Sequence, residues 1–206
     1  IVLPTSLIFN WKHEAARFAP GLKALSLHGP ERKSRFAEIP GHDVVLTTYP
    51  PLWRDADELM QHRYHLLILD EAQTVKNAQS QGAEAVRKVD ARHRLCLTGT
   101  PLENHLGELW SQFDFLLPGF LGASRQFAKH WRTPIEKQND HRRRDLLARR
   151  IRPFILRRKK EDVAQELPPK TIIVRSVELE GSQRDLYETV RAAMDVKVRD
   201  EIASKG

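Results

Sequence analysis

Cysteine is nearly absent: the 206 residues hold one, Cys96. A single thiol builds neither a disulfide framework nor a cysteine-based zinc site, so a reducing compartment is expected. Cys96 lies in the apolar run Leu95-Cys96-Leu97, which reads as a buried strand thiol rather than a nucleophile. Long hydrophobic runs are also lacking. None approaches the roughly 18 residues that span a bilayer, and the chain opens on the strand-like Ile1-Val2-Leu3 rather than on a signal peptide. There is no initiator Met, and Lys205-Gly206 directly follow a helical pattern, so a piece of a larger protein is expected. None of the ten glycines sits in a phosphate-cradling G-x-x-x-x-G-K-S/T loop. No G-x-S-x-G elbow occurs, which sets aside a generic α/β hydrolase. Neither internal repeats nor low-complexity stretches are found.

What is present is an ordinary globular composition, with 40% hydrophobic and 30% charged residues. The length suits one full core and part of a second domain. The net charge of +7 is concentrated rather than spread. Residues 141–160 carry ten Lys or Arg, among them Arg142, Arg143 and Arg144, against the single acid Asp145. Such a segment can bind polyanions, or it can be a solvated helix face with local ion pairs.

Apolar, β-prone runs recur along the chain at residues 1–4, 22–28, 43–46, 65–69 and 94–97. Four of them end in Thr, Ser, Asp or Glu: Thr5-Ser6, Thr47-Thr48, Asp70-Glu71 and Thr98-Gly99-Thr100. Near-continuous runs of this kind predict parallel strands buried on both faces. Helical patterns at 6–18 and 78–89 between them predict right-handed βαβ units. In such sheets ligands bind beyond the carboxyl ends of the strands, so polar chemistry is concentrated on one rim. Further helices are expected at 103–117, 124–131 and 140–150, the last two around a turn at Pro134. Tandem proline in Glu166-Leu167-Pro168-Pro169 marks a boundary. An alternating run at 171–179 predicts a strand, and 182–203 a long helix with Ser182 as cap and Asp185 at its third position.

Two motifs carry chemistry. In LLILDEAQ at 66–73 an apolar strand ends in adjacent carboxylates. Asp70 could hold Mg²⁺ through water and Glu71 could polarise an attacking water, although a helix-start acid pair has the same look. In LCLTGTPLENHLGELWSQFDFLLPGFLG at 95–122, Thr98-Gly99-Thr100-Pro101 follows that pair by about 27 residues. Gly99 permits a tight backbone approach, and the threonine hydroxyls could link a γ-phosphate site to its surroundings; a capped strand-to-helix turn is the bland alternative.

Together these motifs resemble the Swi/Snf family of helicase-like ATPases in helicase superfamily two. DEAQTVKN at 70–77, the 95–122 stretch, FILRRKKEDVAQELPPKT at 154–171, QRDLY at 183–187, IVLPTSLIFNWKHE at 1–14 and DVVLTTYP at 43–50 all carry the resemblance, which spans nearly the whole chain. Gln73-Thr74, where many members have His, leans toward a bacterial branch. The resemblance implies a RecA-like parallel α/β lobe at 1–117, a basic helical insertion at 118–165, and a linker with the first strand and helix of a second lobe at 166–206. It implies ATP and Mg as cofactors, double-stranded DNA as partner, and ATP hydrolysis coupled to translocation without strand separation. Gln73, Thr98, Gly99 and Thr100 would lie at the nucleotide, with Asp70 and Glu71 as the catalytic pair. Pro4, Thr5, Ser6, Thr47 and Thr48 would face the DNA backbone, joined by the basic segment. Trp11 and Trp110, on apolar stripes, are expected in the core, and Lys12 and His13 on an exposed helix face. The phosphate loop would precede Ile1 by one strand and helix, and the second lobe's arginine fingers are missing, so these 206 residues alone are expected not to hydrolyse ATP. A bacterial cytoplasm, or a nucleus in a eukaryote, is the expected location. A non-enzymatic DNA- or protein-binding relic is the competing reading, and the intact Asp70-Glu71 pair argues against it.

Overall fold

The computed structural model describes residues 1–75, 77, 80–99, 105–158 and 173–205. They fall into two units, Ile1–Ile155 and Leu156–Gly206.

The first unit is built on a sheet whose strands appear where the apolar runs predict them: β1 (Val2–Leu3), β2 (Ala24–Leu27), β3 (Val44–Thr48), β4 (Tyr64–Asp70) and β5 (Ala91–Leu97). All pairings are parallel, in the order β2-β3-β1-β4-β5. The chain leaves β1 for β2 and β3 on one side and later returns to β4 and β5 on the other. The reversal beside β1 opens a crevice at the carboxyl ends. Register brings those ends level. Leu3 pairs with Thr48, Val2 with Leu69, and Asp70 with Leu97. The residues that leave the strands therefore share one rim.

One face of the sheet is covered. Val2, Leu25, Leu27, Leu67 and Leu69 pack against Leu52 of α2 (Tyr49–Arg54), Ala83 and Val86 of α4 (Gln81–Lys88), and Phe115 of α5 (Leu106–Leu116). Each such buried Leu contributes about 2 kcal/mol. Gly82 lets α2 and α4 approach closely, since a Cβ there would lie 3.2 Å from the Trp53 ring. A short α3 (Ala56–Leu59) follows α2, and Asp55 between them, 6% exposed, holds Arg32 through two bonds of 2.6 and 3.2 Å. Ser80 caps α4 by accepting from Ala83 N–H at 3.2 Å.

The other face meets the expectation of two-sided burial only in part, since Leu3 and Leu46 there are buried. Leu66 and Leu95 are 43% and 42% exposed. Leu67 and Leu69 on the opposite side are buried. The helix α1 (Ile8–Phe18) buries no residue completely, and Phe18 at its end is 71% exposed.

Helix α5 bridges to a second cluster, in which Leu109 and Phe113 meet Leu121, Phe127, Leu147 and Ile151. Leu121 lies in the turn after α5, Phe127 in α6 (Ser124–Phe127), and Leu147 and Ile151 in α8 (His141–Ile151), with Trp131 of a π-turn at Ala128–Arg132 and Ile135 of α7 (Thr133–Gln138) packed beside them. Pro134 does not make the expected turn; it lies in the first turn of α7. A proline ring clashes with the carbonyl four residues back, and the widened π-turn relieves that clash. The reversal comes instead at Asn139, whose φ of 52° is left-handed. Trp110 packs on this cluster as expected and donates to Gly122 O at 2.9 Å.

In the second unit the long helix α9 runs Gly181–Lys205, so Ser182 lies inside its first turn rather than capping it. The expected strand at 171–179 forms no ladder among its described residues, 173–179. An alternating run has no strand character without a partner to pair with. The expected boundary at 166–170 lies outside the described residues.

Candidate functional site

The site is assembled where β4 ends. Asp70 is the last strand residue, and the chain must then turn sharply into the 3₁₀ turn Ala72–Val75. Glu71 makes that turn with φ at 50°, a left-handed conformation that costs a non-glycine residue about 1 kcal/mol. Its own N–H donates to Asp70 Oδ1 at 2.9 Å. Thr74 N–H closes the turn on Glu71 O, also at 2.9 Å.

Two aromatic residues from remote segments hold Asp70. Trp11 Nε1–H donates to Asp70 Oδ2 at 2.7 Å, across 59 residues of chain. Tyr49 O–H donates to the backbone carbonyl of Asp70 at 2.7 Å. Burial pushes the Tyr49 hydroxyl far above its ordinary range, reinforced by Cys96, Asp70 and Glu71 nearby, so it remains a donor. Trp11 was expected in the core; instead it is half-buried on α1 with its polar edge on the carboxylate. Both partners were missed in the sequence. A signal existed for Trp11: the indole N–H needs an acceptor when partly buried.

From Glu71 the contacts continue to β5. Gln73 Nε2 donates to Glu71 Oε2, and Thr98 Oγ1 donates to Gln73 Oε1 at 2.8 Å. Asp70, Glu71, Gln73 and Thr98 thus form one hydrogen-bonded row along the rim. Gly99 follows, exposed, while Thr100 lies outside the described residues. Two of the roughly four acceptor positions of the Asp70 carboxylate are used, by Trp11 and Glu71 N–H, and the rest can accept water. That donor set fits a hydrated divalent cation, which Asp70 would hold through water, leaving Glu71 to polarise a nucleophilic water.

The residues expected along a DNA backbone divide. Pro4 is half-buried, and Thr5 and Ser6 are exposed on the same rim, in a 3₁₀ turn where Leu7 N–H donates to Pro4 O at 3.0 Å. Thr47 and Thr48 are 4% and 2% exposed. The Thr47 hydroxyl is used inside the sheet, donating to Leu27 O at 3.2 Å, so neither side chain offers an open surface. Thr48 is the residue before α2 but makes no side-chain cap. Lys12 and His13 are exposed, as expected.

The basic residues of α8 divide as well. Asp140 caps the helix, accepting from Arg143 N–H at 3.0 Å. Arg143 donates to His130 O at 3.0 Å, Arg150 donates to Phe120 O at 2.6 Å while lying over that ring, and Arg144 pairs with Asp145. Arg142 and Arg149 make no such contact among the described residues. They are seven residues apart, about two turns, and so project from one side of the helix.

A level parallel sheet carrying carboxylates and hydroxyls on its carboxyl rim defines a RecA-like α/β lobe. Residues 1–205 match the SNF2-related domain family, and the chain belongs to that family. It is 42% identical over 193 residues to the putative ATP-dependent helicase/translocase YwqA of Bacillus subtilis, covering 91% of this chain and 21% of that protein. It is 39% identical over 209 residues to the TATA-binding protein-associated factor mot1 of Schizosaccharomyces pombe, covering 95% of this chain and 11% of that one. Among solved structures it is similar to the Sulfolobus solfataricus SWI2/SNF2 ATPase core in complex with dsDNA. The TM-score there is 0.73 and the identity 39%, over 79% of this chain and 34% of that one. The chain spans about a fifth or less of these two curated relatives. No described helix is long and apolar enough to cross a membrane.

Proposed function

We propose that this lobe serves a longer protein that hydrolyses ATP and uses the cycle to move along double-stranded DNA without separating its strands. The observation that carries the reading is the continuous row Asp70–Glu71–Gln73–Thr98 on one strand rim. Asp70 holds the magnesium ion through water, and Glu71 polarises the water that attacks the γ-phosphate. Gln73, Thr98, Gly99 and Thr100 line the nucleotide and pass its state along the rim. Phosphoryl transfer needs position and charge more than covalent help, which suits a site made of fixed acceptors. The ATP-dependent relatives and the DNA-bound structural neighbour support the same reading.

On the DNA side, Pro4, Thr5 and Ser6 meet the phosphate backbone, and hydroxyls fix position there without reading bases. Thr47 and Thr48 support that surface from within the sheet. Arg142 and Arg149 extend a phosphate track, with Arg143 and Arg144 contributing charge. Residues 1–117 form the lobe, 118–165 a basic insertion, and 166–206 a linker and the start of a second lobe. The 206 residues alone do not turn over ATP, because no phosphate loop is among them. The exposed Leu66 and Leu95 support this, since parallel sheets are covered on both faces by further chain.

The test is ATP hydrolysis by the longer protein, with and without duplex DNA, beside the 206-residue chain. Turnover stimulated by duplex in the longer protein alone is expected. A rate indifferent to duplex, or turnover by the 206 residues, contradicts the proposal. Absence of turnover in both would favour a binding module.

A further inference from the structure

The indole of Trp11 is half-buried and carries one N–H to be satisfied. Its helix buries no residue completely, yet its N–H meets Asp70 Oδ2 at 2.7 Å, at the short end for a bond to a charged acceptor. We propose that Trp11 is a positioning residue that sets the orientation of the Asp70 carboxylate and couples it to the Pro4–Ser6 turn. The proposal rests on the reading of Asp70 as the group that holds the magnesium ion.

A carboxylate turns about a broad, nearly two-fold terminal torsion, so one donor does not fix its plane. Here two donors act on different oxygens, Glu71 N–H on Oδ1 and Trp11 Nε1–H on Oδ2. Tyr49 holds the backbone carbonyl of the same residue and leaves the charged group alone. Removing the indole N–H therefore frees the carboxylate while the strand end stays in place. The chemistry of the donor matters too. A lysine or arginine at this point would neutralise Asp70 and compete with a cation. An indole donates one hydrogen bond and carries no charge. Outer partners of this kind orient cation-holding groups, and losing one weakens metal affinity by about 10-fold or more.

The same bond joins two parts of the rim. Trp11 lies on α1, five residues beyond Ser6, and a 3₁₀ turn at Thr5–Leu7 runs directly into that helix. A shift of the turn under a bound phosphate backbone is carried by the helix to the carboxylate. Coupling between binding sites is reciprocal, so a duplex that tightens cation binding is itself bound more tightly when the cation is present.

The experiment uses the longer protein with Trp11→Phe, which keeps an aromatic ring and removes the N–H. Mn²⁺ affinity is measured by electron paramagnetic resonance in the presence of a non-hydrolysable ATP analogue, with and without duplex DNA. Wild type is expected to bind Mn²⁺ more tightly when duplex is present. The variant is expected to bind it about 10-fold more weakly and to show little response to duplex. Unchanged Mn²⁺ affinity and an unchanged duplex effect would overturn the proposal. Should Trp11→Phe melt well below wild type, benzothienylalanine at position 11, which exchanges the N–H for sulfur, makes the same comparison. Asp70→Asn separates the two readings. If it leaves Mn²⁺ affinity at the wild-type level, Asp70 does not hold the cation and the underlying assignment fails. If it weakens Mn²⁺ while Trp11→Phe does not, only the role of Trp11 fails.

Discussion

Thr98 donates its hydroxyl to Gln73 Oε1 at 2.8 Å, tying the end of one strand to the turn that follows its neighbour. Through the Gln73 amide the same contact reaches Glu71. The two motifs separated in sequence are thereby one structural object, and a change at the end of β5 reaches the carboxylate pair through a single side chain.

Thr98→Val keeps the branched shape and removes the hydroxyl. In the longer protein, kcat for ATP should fall several-fold while duplex affinity holds. The loss of one hydrogen bond lowers stability by only about 1 kcal/mol. Steady-state kinetics beside a thermal melt check this; equal loss in KM for duplex and in kcat would point to general damage instead.

The Arg32–Asp55 pair tests what holds the lobe together away from its rim. Asp55 has a side chain 3% exposed and takes both bonds from Arg32, whose Nη1 also donates to Gly29 O at 2.9 Å. Asp55→Ala leaves a part-buried guanidinium with only Gly29 O as its acceptor. Denaturant unfolding should show a loss of about 1–3 kcal/mol, above the effect of removing the exposed Arg144–Asp145 pair.

Burial pushes the Cys96 thiol from its ordinary 9.0 up to about 12. It stays protonated at neutral pH and should react slowly with thiol reagents until the protein unfolds, which mass spectrometry of alkylated protein can follow. The unfolded thiol ionises first as pH rises, so this group leaves stability unchanged below pH 9 and lowers it between 9 and 12. Rapid alkylation of the folded protein would contradict its placement against Tyr49.

The arginines of α8 should separate into two kinds. Replacing Arg142 and Arg149 by Ala should shallow the dependence of log affinity on log salt by about two, one phosphate each, with little change in melting temperature. Replacing Arg143 and Arg150 should lower the melting temperature, because the carbonyls of His130 and Phe120 lose their donors. An unchanged salt slope in the first variant would assign that face of α8 to structure.

The strands were legible because each is a short apolar run closed by polar residues, and level parallel pairing follows once the runs are right. Asp70, Glu71, Gln73 and Thr98 were legible for the same reason, as residues that must emerge where strands stop. Trp11 was misread because an indole at helical spacing looks apolar, while its N–H partner lies 59 residues away and depends on register. Thr47 and Thr48 were expected at a surface but are buried, because strand alternation alone does not tell which strand-end residues the layers packed on the sheet cover. Pro134 was taken for a turn because the widened π-turn that accommodates it carries no composition signal of its own. The run at 171–179 looked like a strand because alternation records a preference for pairing, not the presence of a partner.

The central claim is that Glu71 polarises the water that attacks ATP. Its side chain is half-buried on the rim and held by Gln73. Glu71→Gln keeps length and shape and removes the charge, so ATP turnover by the longer protein with saturating duplex is the direct measurement. Turnover reduced by about 100-fold or more, with nucleotide still bound, is the expected result. Turnover near the wild-type rate would contradict it.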